Sequence, residues 1–87
     1  MKFLAKVSIM PLEELLDPQG KVVNRSLTNL GLAEMENVRI GKHIRFTISA
    51  NDEAIARSMV ELACTKLLAN LIMESYEFEI EPIADEV

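Results

Sequence analysis

Along the first ten positions, Phe3, Ala5, Val7 and Ile9 alternate with Leu4, Lys6, Ser8 and Met10. A period of two puts every second side chain on one face, so this run predicts a β-strand with one buried side. The pattern breaks at Pro11 and a short apolar-acidic LEELL. Asp17 then suits a helix N-cap, and Pro18 suits the first helical position, where the amide that proline lacks would go unbonded anyway. Val23, Leu27 and Leu30 follow at i, i+4 and i+7, and Gly31 offers a left-handed stop. The spacing predicts a helix over residues 18 to 30 with its apolar side against the core.

Val38 and Ile40 point one way, and Ile44, Phe46 and Ile48 do so again after Gly41-Lys42-His43, which predicts two strands joined by a hairpin. A three-residue tip pairs Ile40 with Ile44 and Val38 with Phe46, whereas a two-residue turn would set charges opposite apolar side chains. Asn51-Asp52-Glu53 supplies a cap and early negative charge for a second helix. Its wide apolar stripe, Ile55, Met59 and Leu62 with Ala56, Val60, Ala63 and Leu67, runs to about Asn70. Tyr76, Phe78 and Ile80 alternate with Glu77, Glu79 and Glu81 as a last half-buried strand. Residues 1–81 read as one domain, and residues 82–87 as an acidic tail without structure.

The order β-α-β-β-α-β with right-handed crossovers predicts an α+β fold, the ferredoxin-like plait: a four-stranded antiparallel sheet with two helices on one face. Its open face would carry Lys6, Ser8, Arg39, Arg45, Thr47, Glu77 and Glu79, charges able to pair across strands or to meet a polar partner. The same topology gathers LDPQG, RIGK and LLAN at one end of the sheet. These three segments are the least explained by periodicity, so a contact surface is expected there.

Size and charge narrow the function. With 87 residues, 49% of them hydrophobic, the chain builds one core and buries only about 60 to 65% of its unfolded surface, so self-association is expected. A net charge of −5 and the absence of Trp oppose a nucleic-acid module, which needs a basic stripe and stacking aromatics. Cys64 is the only cysteine, which excludes an intrachain disulfide and a thiolate zinc cluster. No signal peptide and no apolar run near 18 residues is found, so a soluble cytoplasmic setting without membrane contact is expected.

No residue pattern carries catalysis. Gly20 is a single glycine at a helix start, far short of a Walker loop or a G-x-G-x-x-G turn. Asp17 has no second carboxylate, Ser or Cys at a partnering spacing, and an N-cap Asp spends its oxygens on backbone amides. His43 on the hairpin tip reads as an exposed titrating side chain, Lys42 and Arg39 as solvating charge or contacts to an acidic partner, and Cys64 as a small buried thiol. The five methionines sit at core spacings rather than in a metal cluster. No metal site is expected, and the chain reads as a subunit that completes something larger.

LLDPQGKVVNRSLTNLGL, then VRIGKHIRF, then CTKLLAN with a following ME-x-Y-x-F-E, together resemble the PurS-type small subunits of phosphoribosylformylglycinamidine synthase. The likeness runs in order over roughly residues 3 to 80. It implies a non-catalytic component of de novo purine synthesis. A glutaminase subunit of that ligase releases ammonia, a large synthetase subunit uses ATP and Mg to convert formylglycinamide ribonucleotide to its amidine, and the small subunit brings the two together. It also implies a homo-oligomer, dimer or tetramer, that binds no cofactor of its own. Asp17, Gln19, Gly20, Arg39, Gly41, Lys42 and Asn70 are the residues expected to dock partners. Leu71 stands where the family pattern has proline, and PLEEL replaces a shorter turn. On fold alone, an ACT-like regulatory domain binding a small molecule beside the loop between strand one and helix one is the alternative. An acylphosphatase-like enzyme would want an anion-cradling arginine before the first helix, and none is present.

Overall fold

A computed structural model describes residues 1–84. Strand β1 spans Lys2–Pro11, helix α1 Pro18–Asn29, strand β2 Lys42–Ser49, helix α2 Glu53–Ala63 and strand β3 Glu74–Ile83. The three strands form one antiparallel sheet in the order β2-β1-β3. Val7 is the hub of its register, facing Ile44 on β2 and Phe78 on β3. The odd positions of β1 point to the core: Phe3, Ala5, Val7 and Ile9 are all buried, together with Ile48 of β2. Helix α2 closes this face with Ala56 and Val60, joined by Cys64 and Ala69. Each fully buried Val, Ile or Phe contributes roughly 1.5–3 kcal/mol relative to an exposed position, so this single layer carries most of the fold's stability.

Both helices start as the sequence predicts. Asp17 caps α1 by accepting a 3.0 Å hydrogen bond from the Gly20 amide, and Asp52 caps α2 through the Ile55 amide at 2.9 Å. The end of α1 is a Schellman turn: Gly31 takes φ 88°, its amide donates to Thr28, and the Leu32 amide donates to Leu27.

Three expectations are corrected. Among the described residues the sheet has three strands, not four, because Val38 and Ile40 do not enter it and no hairpin forms around Gly41-Lys42-His43. The segment's polar groups are spent elsewhere: the Ile40 amide donates to the Asp17 carboxylate, and Arg39 reaches back to the carbonyls of Leu12 and Leu15. Second, α2 ends at Ala63 and continues as one π-turn, Cys64–Leu68, closed by the Ala69 amide on the Cys64 carbonyl at 3.0 Å. Spacing of five instead of four puts Cys64 and Ala69 on the same buried side, in place of the Ala63 and Leu67 positions that an unbroken helix would use. Third, the apolar side of α1 meets no core: Leu30 is 75% exposed, and Val22 and Val23 are exposed with it.

Helix α1 makes only sparse contact with the strands and with α2, and the molecule measures 51 × 31 × 14 Å. Its radius of gyration is 17.0 Å, against about 12 Å for a compact chain of this length. Strand β3 runs two residues into the segment expected to be an unstructured tail, reaching Ile83. The remainder of that expectation, at residues 85–87, lies outside the described residues. No helix among the described residues is long and apolar enough to cross a membrane.

Candidate functional site

LDPQG, RIGK and LLAN meet at the end of the sheet where β1 finishes and β3 begins. Pairing of Pro11 with Glu74 and of Ile9 with Lys42 fixes this end from the strands. Asp17 is the first joint. Its Oδ1 takes the Gly20 amide and its Oδ2 takes the Ile40 amide at 2.8 Å, so one carboxylate caps α1 and ties down the chain before β2. The Ile40 and Gly20 amides, aided by the positive Arg39 side chain, hold the Asp17 carboxyl below its usual range, while partial burial pushes the other way. With both oxygens committed, this carboxylate is a brace and not a base.

The glycines serve close approach. A Cβ on Gly20 would collide with the carbonyl oxygen of Val38, and one on Gly41 with the carbonyl oxygen of Ile9 and the sulfur of Met10. Arg39 is the second joint, donating from Nη2 to the Leu12 carbonyl at 2.7 Å and from Nη1 to the Leu15 carbonyl at 3.1 Å. It thereby holds the PLEEL stretch, which the sequence left without an assigned role.

The third joint brings in LLAN. The Leu12 amide donates to the Met73 carbonyl at 2.9 Å. The Asn70 carbonyl accepts the amides of Met73 and Glu74, its side-chain oxygen accepts the Ile72 amide, and its own amide donates to the Glu74 carboxylate at 2.8 Å. Glu74 also stands 3.5 Å from the Lys42 ammonium, so this one carboxylate links β2 to the LLAN turn. Glu74 was not singled out from the sequence, because it reads there as one more acid in an alternating strand.

The seven residues expected to dock partners therefore fall into two kinds. Asp17 and Gly20 are buried and Arg39 half-buried, joints that shape the rim, and the exposed Gly41 gives close approach to Ile9 and Met10. Gln19, Lys42 and Asn70 are exposed on it. Beside them lies an apolar knuckle that periodicity did not reveal: Leu71, Ile72 and Met73, with Ile72 84% exposed, and Leu67 on the π-turn 81% exposed. Turn residues carry no helical or strand period, so only the count of apolar side chains could have pointed to this cluster. Between α1 and residues 37–39 runs an open cleft of about 920 Å³, walled by Lys21, Asn24 and Arg25 on one side and by Arg39 on the other.

The remaining candidates lie apart from the rim or below its surface. His43 is exposed on the open face of the sheet, opposite Ser8. Cys64 is buried, and burial first and the nearby Glu61 carboxylate second push its thiol pKa up. Tyr76 hydrogen-bonds to Glu61, which together with burial pushes its hydroxyl up to about 12. Both groups tie α2 to the sheet.

Residues 4–82 match the family described as PurS, phosphoribosylformylglycinamidine (FGAM) synthase. The chain belongs to the PurS family. It is 37% identical to the PurS subunit of FGAM synthase from Bacillus subtilis over 81 residues, covering 93% of this chain and 95% of that one. A solved structure of B. subtilis PurS superposes with a TM-score of 0.81 at 38% identity, over 92% of this chain and 99% of that chain. A chain in a structure of PurLQS from Thermotoga maritima superposes with a TM-score of 0.87 at 26% identity, over 93% of this chain and 99% of that one. As a PurS protein the chain is a subunit of FGAM synthase, an enzyme of purine biosynthesis. The three motifs that first suggested PurS are the three segments that build the rim.

Proposed function

We propose that this chain joins the glutaminase and the ATP-dependent synthetase of FGAM synthase and shelters ammonia passing between them, without a catalytic group of its own. One observation carries the reading: a chain whose radius of gyration is 17.0 Å leaves the apolar side of α1 and the Leu71-Ile72-Met73 knuckle uncovered. Apolar groups placed this way are stabilised when a partner covers them. The likeness to a chain of PurLQS supports partners of the PurL and PurQ kind. ATP and Mg belong, on this reading, to the synthetase and not to this chain.

Gln19, Lys42, Asn70 and the knuckle form the docking surface, while Asp17, Gly20, Arg39 and Gly41 hold it in shape. Self-association to a dimer or tetramer covers α1. The plait expected from sequence is then a property of the assembly, with a fourth strand added from outside to a free edge of β2 or β3. A cytoplasmic location accords with the pathway.

The test is co-elution. The purified chain, mixed with the synthetase and glutaminase subunits, should elute with them on gel filtration. The double variant Lys42→Glu/Ile72→Asp should elute separately while keeping the parent's circular dichroism; co-elution of that variant would remove the knuckle and Lys42 from the surface. The ACT-like alternative has the cleft beside α1 in its favour. Equilibrium dialysis against the common amino acids should show no binding, and saturable uptake of one would favour that alternative.

A further inference from the structure

Helix α1 is a basic element in an acidic chain. Residues 18–29 hold Lys21 and Arg25 and no Asp or Glu, although the net charge of the chain is −5. Four residues apart, Lys21 and Arg25 share one side of the helix, where like charges repel each other. Neither forms an ion pair among the described residues, and both are exposed. Asn24 lies between them and Thr28 one turn on, so a polar stripe runs along α1 roughly opposite its apolar side of Val23, Leu27 and Leu30. A partner that covers the apolar side need not cover this stripe.

The stripe is one wall of the cleft of about 920 Å³, and residues 37–39 are the other. Arg39 is a fixed positive charge there, because its Nη1 and Nη2 donate to the Leu15 and Leu12 carbonyls. Two polar atoms of these walls, Asn24 Oδ1 and Arg39 Nε, are buried and have no hydrogen-bond partner among the described residues. Such atoms are uncommon in folded chains and costly to leave unbonded. Two acids also line the cleft. Asp17 has both oxygens on amides and Arg39 beside it, which leaves the exposed Glu13 alone to meet any ammonium of a ligand.

We propose that the cleft binds a small molecule carrying a phosphate monoester. The phosphate sits on Lys21 and Arg25, and the organic part rests on Leu16 and Val38. A hydroxyl of the same molecule donates to Asn24 Oδ1, which the soft χ2 of asparagine lets turn into the cleft. Two uncompensated cations match a dianion, and the planar guanidinium of Arg25 suits two phosphate oxygens at once. An amino acid lacks the second negative charge. The two cations spring from Cβ atoms about 5–6 Å apart, which suits one compact anion and not an acidic peptide, whose charges spread along a longer line. The volume falls in the range of roughly 300–1,000 Å³ that small-molecule sites occupy. Such binding is independent of docking to the synthetase, and its test needs this chain alone.

The experiment is titration calorimetry of the full chain at low ionic strength with adenosine monophosphate, adenosine, inorganic phosphate and an acidic hexapeptide as probes. The nucleotide should bind saturably and at least tenfold more tightly than phosphate or the peptide, and adenosine should not bind. Backbone amide signals should move on adding the nucleotide at residues 21–28 and 37–39. Lys21→Gln with Arg25→Gln should weaken nucleotide binding at least tenfold, whereas Lys66→Gln, an exposed lysine on the π-turn, should bind as the parent does. Circular dichroism checks that each variant is folded. No saturable binding of the nucleotide, signals that move elsewhere, equal or tighter binding of phosphate, adenosine or the peptide, or unchanged affinity in the folded double variant would each overturn the proposal. An equal loss in Lys66→Gln would overturn it too, since the binding would then follow charge and not the cleft.

Discussion

Replacing Gly20 with alanine drives a methyl group into the joint between the start of α1 and the segment leading to β2. The added Cβ would collide with the Val38 carbonyl oxygen and lie 2.6 Å from an Asp17 carboxylate oxygen. Neither neighbour is a flexible chain end: one is backbone, and the other is fixed by the amides of Gly20 and Ile40. Two effects oppose each other. Alanine gains up to about 1 kcal/mol over glycine in a helix, whereas overpacking a closed site costs about 1–3 kcal/mol. In the first turn the helical gain is at its smallest, so a net loss of about 1–2 kcal/mol is expected. For a domain of this size that lowers Tm by about 4–16 °C. Thermal melts by circular dichroism give the value, with Ser26→Ala on the exposed side of α1 as the control, expected within about 0.5 kcal/mol of the parent. If Gly20→Ala melts at or above the parent temperature, LDPQG and RIGK are not in contact, and the rim built on that contact falls.

Gly31 has φ 88° with open space around it, so Gly31→Ala should cost about 1–2 kcal/mol from backbone strain alone, read as a lower Tm with unchanged spectra at low temperature. The Asp17 carboxyl is held below its ordinary value of 3.8, so its stabilising effect is complete above that pH and is lost as pH falls toward its lower folded-state value. In urea titrations, the stability gap between parent and Asp17→Asn should accordingly be widest near neutrality and should shrink below about pH 4. Cys64 is buried with its thiol pushed up, so an aromatic disulfide reagent should label the native chain only at its opening rate and react at once in denaturant; immediate native labelling would contradict the core assignment.

Elements with a clear period were legible in the sequence. Strands β1 and β3 alternate over whole lengths, and α1 and α2 begin at an Asp cap, so their identities followed from local chemistry. The gathering of LDPQG, RIGK and LLAN at one end followed from the connections between elements. What misled was a pattern too short to decide. Val38 and Ile40 have the apolar alternation of a strand, yet the Asp17 carboxylate competes for the Ile40 amide over a separation of 23 residues, and no local window contains that partner. Val23, Leu27 and Leu30 are correctly read as one apolar side of a helix, but burial was assigned to them by assuming that a single chain supplies its own cover. The π-turn escaped for another reason: the benefit of burying Cys64 and Ala69 together is visible only once the helix lies on β1. At the rim, Asp17 was read as a helix cap and Arg39 as surface charge, and the further bonds of both, to Ile40 and to the carbonyls of Leu12 and Leu15, span too much sequence to be read locally. Glu74, half-buried, passed for one more acid at the start of a strand, and the exposed Ile72 knuckle carried no periodic signal.

On the proposed reading, this chain recognises and joins its partners and performs no chemistry. The most direct measurement is FGAM formation from formylglycinamide ribonucleotide and ATP, with either glutamine or ammonium as nitrogen source, in mixtures of the synthetase, the glutaminase and this chain. Glutamine-driven turnover should appear only when all three are present, whereas ammonium should support the synthetase without this chain. Equal glutamine-driven turnover from the two larger subunits alone, or any turnover by the isolated chain, would contradict the claim.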